Sequence, residues 1–244
     1  MRTLKLVVQY DGTDYAGFQI QPDRPTVQGV LEQTAAAILG HPVRLTAAGR
    51  TDAGVHALGQ VVALNTATPL PLDKTVEVFN GRLPADIAVA RAEEVEAGFH
   101  PRFDARRKRY SYRLLNREVR SPFICRYAWH VREALDAEAM AAGTACLEGE
   151  HDFASFCAGG AETNSTVRTL YSLDVAREGD LLEIWAEGSG FLYQMVRIIV
   201  GTLVAVGLGR LSVESVAQVL AAKDRAAAGP PAPPQGLCLA RVVY

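Results

Sequence analysis

Strand-like and helix-like segments alternate along the whole chain, and the alternation runs through twice. Leu4 to Val8 is a short β-rich run. Thr26 stands as an N-cap before a helical stretch, Val27 to Leu39, on which Val30, Leu31, Thr34 and Ile38 share one face. Val43 to Ala48 and Gln60 to Asn65 read as strands, with the Gly-rich segment Gly49 to Gly59 between them. Leu72 to Arg82 suggests a helix, Ile87 to Val95 a strand, and Arg109 to Leu115 another strand. Tyr110 and Tyr112 fall on one face of that last strand, because successive strand side chains alternate. The second half repeats the theme. Leu135 to Leu147 is helical, Val167 to Ala176 and Leu181 to Ala186 are strands, and Phe191 to Leu208 is a long helix. Ser212 caps a helix reaching Ala222, and Leu237 to Val243 is a closing strand. Such a pattern predicts an α+β fold in two domains, 1–120 and 121–244, with the break near Ser121 and Pro122.

With 49% hydrophobic and 21% charged residues, the chain can bury a core for this arrangement. Its net charge of −2 argues mildly against a nucleic-acid binder, but the distribution argues the other way. From His100 to Arg132 there are ten Lys or Arg against Asp104 and Glu118, a local excess of eight positive charges. Arg106, Arg107, Lys108 and Arg109 are consecutive. A field concentrated in this way can hold phosphates on a molecule of neutral balance; a merely solvated basic surface is the other reading. Cys125, Cys146, Cys157 and Cys238 have no CxxC spacing and the five histidines are isolated, so no zinc template or disulfide framework fits. The N-terminus lacks an apolar leader, which makes the cytoplasm the expected compartment. Phe191 to Leu208 carries Gln194 and Arg197, so it reads as a buried helix and not as a membrane span.

The segment Ala47 to His56, AAGRTDAGVH, stands out chemically. Arg50 and Asp52 sit two residues apart in a glycine-bracketed loop that leaves a strand. Glycines there permit positive φ and close approach of another chain, and loops on a rigid sheet are where catalytic groups usually sit. A turn held by a local Arg–Asp or Asp–backbone contact is the structural alternative. Other motifs accompany it in order. They are Tyr10-Asp11-Gly12-Thr13, Gly17-Phe18-Gln19 with Gln21, Thr26-Val27-Gln28-Gly29 and Phe99-His100-Pro101-Arg102-Phe103-Asp104-Ala105. Lys108-Arg109-Tyr110-Ser111-Tyr112, His151-Asp152-Phe153 with Phe156, Gly190-Phe191-Leu192 with Met195-Val196-Arg197, and Ala232-Pro233-Pro234-Gln235-Gly236-Leu237 complete the set.

Together these residues resemble the tRNA pseudouridine synthase A family over essentially the whole chain. The resemblance implies two RRM-like halves with antiparallel sheets meeting around a central cleft, a homodimer as the active unit, and tRNA as partner. It implies isomerisation of uridines 38, 39 and 40 of the anticodon stem-loop, with no metal, cofactor or membrane involved. Asp52 aligns with the essential aspartate, read here as nucleophile, and Arg197 with the arginine that pairs with it. Tyr110 aligns with the tyrosine that stacks on the flipped uracil, and Arg50 with a basic residue that helps to extrude the nucleotide. Arg106, Arg107, Lys108 and Arg109 would hold phosphates. Pattern alone does not choose between Tyr110 and Tyr112; the resemblance selects Tyr110. Attack by Asp52 at C1′, attack at C6 and removal of a ribose proton all remain open.

His151-Asp152 could suggest a metal phosphohydrolase, but further His and Asp ligands are missing. Val55-His56 could suggest a general base. Both read better as structural. The competing function is a non-catalytic RNA-binding module of RRM type, carried by the α+β alternation and the basic, tyrosine-bearing strand.

Overall fold

Alternation at the N-terminus produces a nine-residue strand, β1 (Arg2–Tyr10), with Leu4, Leu6, Val8 and Tyr10 turned to one buried face. It lies between β3 (His56–Thr66) and β4 (Ile87–Val95), antiparallel to both, with Leu6 opposite Val62 on one side and Ala92 on the other. β10 (Leu237–Val243) returns from the end of the chain to pair with β3 in parallel, Cys238 opposite His56. The strand order here is therefore β4-β1-β3-β10. The computed structural model describes residues 1–160 and 163–244. It divides them into two compact units, Met1–Arg106 with Cys238–Tyr244, and Arg107–Leu237.

Two helices belong to the first unit, α1 (Val27–Leu39) and α2 (Leu72–Asn80). Thr26 caps α1, its hydroxyl accepting the Gly29 N–H at 3.3 Å, and Gly40 ends it at φ 76°. The buried face of α1 is Val27, Leu31, Thr34, Ala35 and Leu39; Val30 and Ile38 are only half-buried, so the helix is rotated from the expected stripe. The expected strand over Val43 to Ala48 shrinks to β2 (Thr46–Ala47). Side chains of α1 take the backbone groups a ladder would use: Glu32 accepts the Leu45 N–H at 3.0 Å, and Gln28 donates to the Leu45 carbonyl at 3.3 Å.

In the second unit β5 (Arg107–Asn116), β9 (Leu181–Gly188), β8 (Val167–Glu178) and β7 (Gly149–Asp152) form an antiparallel run in the order β5-β9-β8-β7. A short β6 (Trp129–Val131) joins β5 in parallel. Asp136 caps α3 (Ala137–Ala142), which is half the expected length and is followed by a 3-10 turn at Ala145–Leu147. The core helix is α4 (Met195–Gly207), buried along almost all of its length. It starts at Met195 and not at Phe191, because Gln194 is left-handed at φ 56°. α5 (Val213–Ala222) follows it. The fold is mixed, with ten mostly antiparallel strands and five helices among the described residues. No helix among those residues is long and apolar enough to cross a membrane.

Candidate active site

The loop from Ala48 to Val55 is clamped along its backbone. Ala48 donates to the Val61 carbonyl at 2.8 Å, and the Gly49 carbonyl accepts from Gln60 Nε2 at 2.9 Å. The Thr51 carbonyl takes the Phe18 N–H at 3.0 Å, and the Val55 N–H closes a turn on the Asp52 carbonyl at 3.1 Å. Thr51 is buried, and its hydroxyl is hydrogen-bonded to that of Tyr10 at 2.7 Å. Burial pushes the Tyr10 hydroxyl above the usual phenol range, so it stays protonated and able to donate. The segment around Gly17 lies so close that a Cβ there would come within 2.9 Å of the Thr51 carbonyl, and Gly17 is also at φ 102°. Gly54 takes φ 77° at the turn itself. The outcome is a rigid loop on which Asp52 is half-buried and Arg50 exposed.

Within the second unit, β5 separates its two tyrosines clearly. Tyr112 is fully buried, and its hydroxyl donates to the Pro233 carbonyl at 2.7 Å. Burial pushes that hydroxyl up despite the lowering effect of the Arg197 guanidinium. Gly236 lies against its ring so tightly that a Cβ would sit 2.5 Å from the ring edge. Such a ring has no face left for a base. Tyr110 is 8% exposed and makes an edge contact with Phe191, ring centres 5.0 Å apart. Arg197, in the first turn of α4, does not reach for solvent. Its Nε donates to the Ala232 carbonyl at 2.7 Å, while the Ala232 N–H donates back to the Arg197 carbonyl at 2.9 Å. A cation in a first helical turn opposes the helix dipole, so a fixed acceptor of this kind is needed to hold it there.

The four consecutive basic residues do not share a face. Arg107 and Arg109 stand on the solvent side of β5, where Arg107 pairs with Glu187 at 3.1 Å and lies 4.7 Å over Tyr171. Arg109 lies 4.5 Å over Trp185. Lys108 alternates onto the Tyr110 side, and Arg106 is exposed in the first unit with its N–H on the Val243 carbonyl at 2.8 Å.

His56 is buried, its Nδ1 accepting the Gly12 N–H at 3.0 Å with the Asp11 carboxylate at 3.1 Å. His151 meets the Glu148 carbonyl at 2.8 Å. Asp152 accepts from the Thr166 hydroxyl at 2.5 Å and pairs with Lys223 at 3.1 Å, contacts that hold its carboxyl below the usual range. No group of His, Cys, Asp and Glu among the described residues could hold a metal ion. Sequence reasoning missed Tyr10, Thr51 and Ala232 as supports of the site. The Ala232 to Leu237 motif gave the available signal, since its Pro233 and Gly236 cover Tyr112 and its Ala232 anchors Arg197.

The family model described as tRNA pseudouridine synthase matches residues 6–104 and 144–244. A chain in the solved structure described as the crystal structure of a Cbf5-Nop10-Gar1 complex is similar at 16% identity and a TM-score of 0.33, over 82% of this chain and 54% of that one. The chain is 48% identical to the tRNA pseudouridine synthase A of Geotalea uraniireducens (strain Rf4), over all of both chains. It is 49% identical to that of Citrifermentans bemidjiense, over 100% of this chain and 98% of the relative.

Proposed function

The chain belongs to the tRNA pseudouridine synthase family, and we propose that Asp52 is the carboxylate with which it isomerises uridine in tRNA. The reaction breaks the N1–C1′ bond, turns the uracil and joins C5 to C1′; the proton lost from C5 is balanced by one gained at N1. Redox balance is kept within the nucleoside, so the chemistry calls for no metal or cofactor. It does call for a carboxylate that can attack C1′ or C6, or take a ribose proton, held where a base has been turned out of its stack. The observation that carries the reading is the clamped loop, which holds Asp52 half-exposed on a backbone fixed by Phe18, Tyr10 and Gln60. Preorganisation of this sort is what positioned catalytic groups require.

Arg197 is the partner of Asp52 in this proposal. A carboxylate in a site dry enough to hold a base keeps its charge best beside a cation, and a guanidinium cannot surrender its proton. Tyr110 stacks on the extruded uracil, a contact that returns about 1–3 kcal/mol of the cost of unstacking; the enclosure of Tyr112 leaves Tyr110 as the ring on that face for the task. Arg50 helps to extrude the nucleotide, and Arg106, Arg107, Lys108 and Arg109 meet phosphates. The target is the anticodon stem-loop, positions 38 to 40, the working unit is a homodimer of chains with two RRM-like halves, and the compartment is the cytoplasm.

The test is an unmodified tRNA transcript incubated with purified protein and a chelator. Wild type is expected to form pseudouridine in that stem-loop. Asp52→Asn is expected to lose at least about 10³-fold in turnover while still binding the tRNA. Retained turnover in the variant would remove Asp52 from the chemistry. Binding with no pseudouridine from wild type would leave an RNA-binding module.

A further inference from the structure

The motif from Phe99 to Ala105 has no part in the site described above, yet it is built with care. Phe103 is 75% exposed. Its ring lies on the His100 imidazole, centres 4.2 Å apart and planes 31° from parallel. That imidazole is locked, because its Nδ1 accepts the N–H groups of Arg102 at 3.2 Å and Phe103 at 3.3 Å. The Asp104 carboxylate accepts the His100 N–H at 2.8 Å, and the Asp104 N–H donates to the His100 carbonyl at 3.0 Å. Beneath the turn, the Tyr244 hydroxyl donates to the Pro101 carbonyl at 2.9 Å and its ring meets Phe99 at 5.0 Å. The Lys5 ammonium lies 4.6 Å over the Tyr244 ring.

A ring this exposed contributes little to a core, while the turn beneath it is held by hydrogen bonds at His100, Pro101 and Asp104. Arg102 is exposed and its guanidinium lies 5.9 Å over the ring, which sets a cation beside the exposed aromatic. On another side the groove lined by Glu94, Glu96 and Asp104 repels phosphate. This turn therefore suits the flat face of a nucleobase better than a stretch of RNA backbone. Phenylalanine carries no hydroxyl to read a base edge, so the contact is tolerant of sequence.

We infer that Phe103 is a stacking platform for an unpaired base of the substrate RNA other than the reacting uridine. The inference rests on the reading of the chain as a tRNA-modifying enzyme. It makes Phe103 a positioning residue: it adds binding energy away from the reacting bond and orients the RNA without touching the chemistry.

The experiment compares Phe103→Ala, Phe103→Trp and Arg102→Gln with wild type. It reads the dissociation constant for an unmodified tRNA transcript over a series of salt concentrations, the single-turnover rate at saturating enzyme, the melting temperature and the particle mass. Phe103→Ala is expected to weaken binding about tenfold, with saturating rate, melting temperature and salt slope unchanged, and Phe103→Trp to restore affinity. Arg102→Gln is expected to flatten the salt slope by about one. Wild-type affinity in Phe103→Ala overturns the proposal. So does a loss that comes with a lower melting temperature and is not restored by Trp, which marks a structural ring. A changed particle mass also overturns it, by assigning the ring to a protein contact. Failure here leaves the loss of turnover in Asp52→Asn standing, whereas absence of pseudouridine from wild type strikes the functional reading and not the measured role of Phe103 in binding.

Discussion

Thr51 contributes as much to the Asp52 loop as the glycines around it do. Its carbonyl takes the Phe18 N–H and its buried hydroxyl meets Tyr10, so one residue fixes the loop through both backbone and side chain. Tyr10→Phe removes the partner and leaves a buried hydroxyl to be satisfied elsewhere. The expected cost is about 1–2 kcal/mol of stability, read by denaturant unfolding. Turnover should fall several-fold with tRNA affinity unchanged, since the loop loosens without any RNA contact being touched. Equal stability and turnover in the variant would mean that the loop is held by other bonds. At this scale the sequence was informative about residue types and poor on partners. Asp52 and Arg50 stood out because glycines bracket them. Tyr10 and Thr51 did not, because a hydrogen bond across 41 positions leaves no local trace. Tyr110 and Tyr112 shared a face by alternation alone, and only the Pro233 and Gly236 contacts distinguish them.

Elements with strong periodicity were legible, and those set by neighbours were not. β4 runs over Ile87–Val95 as expected, because its apolar alternation is local. β2 fell short because α1 side chains occupy the Leu45 backbone, and β6 and β7 were missed because they are short and partly polar. The most consequential packing of an element is that of α4 against the Pro-rich segment after Ala228. Gly229 donates to the Thr202 hydroxyl at 3.0 Å, Pro230 lies on Gly201, and Ala232 exchanges two bonds with Arg197. Glycine inside a helix ordinarily costs about 1 kcal/mol relative to alanine. At Gly201 it is required, since a Cβ would overlap the Pro230 carbonyl. Gly201→Ala is therefore expected to destabilise by about 1–3 kcal/mol in spite of its better propensity. It should also lower turnover, because displacing the segment moves the acceptor that holds Arg197. Thermal unfolding together with a turnover assay checks both effects, and a stabilised, fully active variant would show that the segment gives way freely.

For the molecule as a whole, what one sequence hides best is which distant groups meet. The last strand returns to pair with β3, a contact between the two ends of the order that no local pattern announces. Charge behaves in the same way. The local excess of eight positive charges counts only neighbours in sequence, yet Glu187, Glu183 and Asp180 are brought against Arg107, Arg113 and Arg117 at 3.1, 2.6 and 3.4 Å. Arg107, Arg113 and Arg117 thus have acids beside them, and the field available to RNA is smaller than the count suggests. Counterion release makes this measurable, since each phosphate neutralised adds about 0.7–0.9 to the slope of log affinity against log salt. Arg50, exposed on its loop, is expected to contribute, so that Arg50→Gln flattens the slope by about one. Arg113, held at 2.6 Å by Glu183 on the solvent side of β5, is not, and Arg113→Gln should leave the slope where it was. Binding measured over a range of salt concentrations decides the matter. If Arg113→Gln flattens the slope as much as Arg50→Gln does, the pair opens when RNA arrives and the binding surface extends along the solvent side of β5 beyond Arg107 and Arg109.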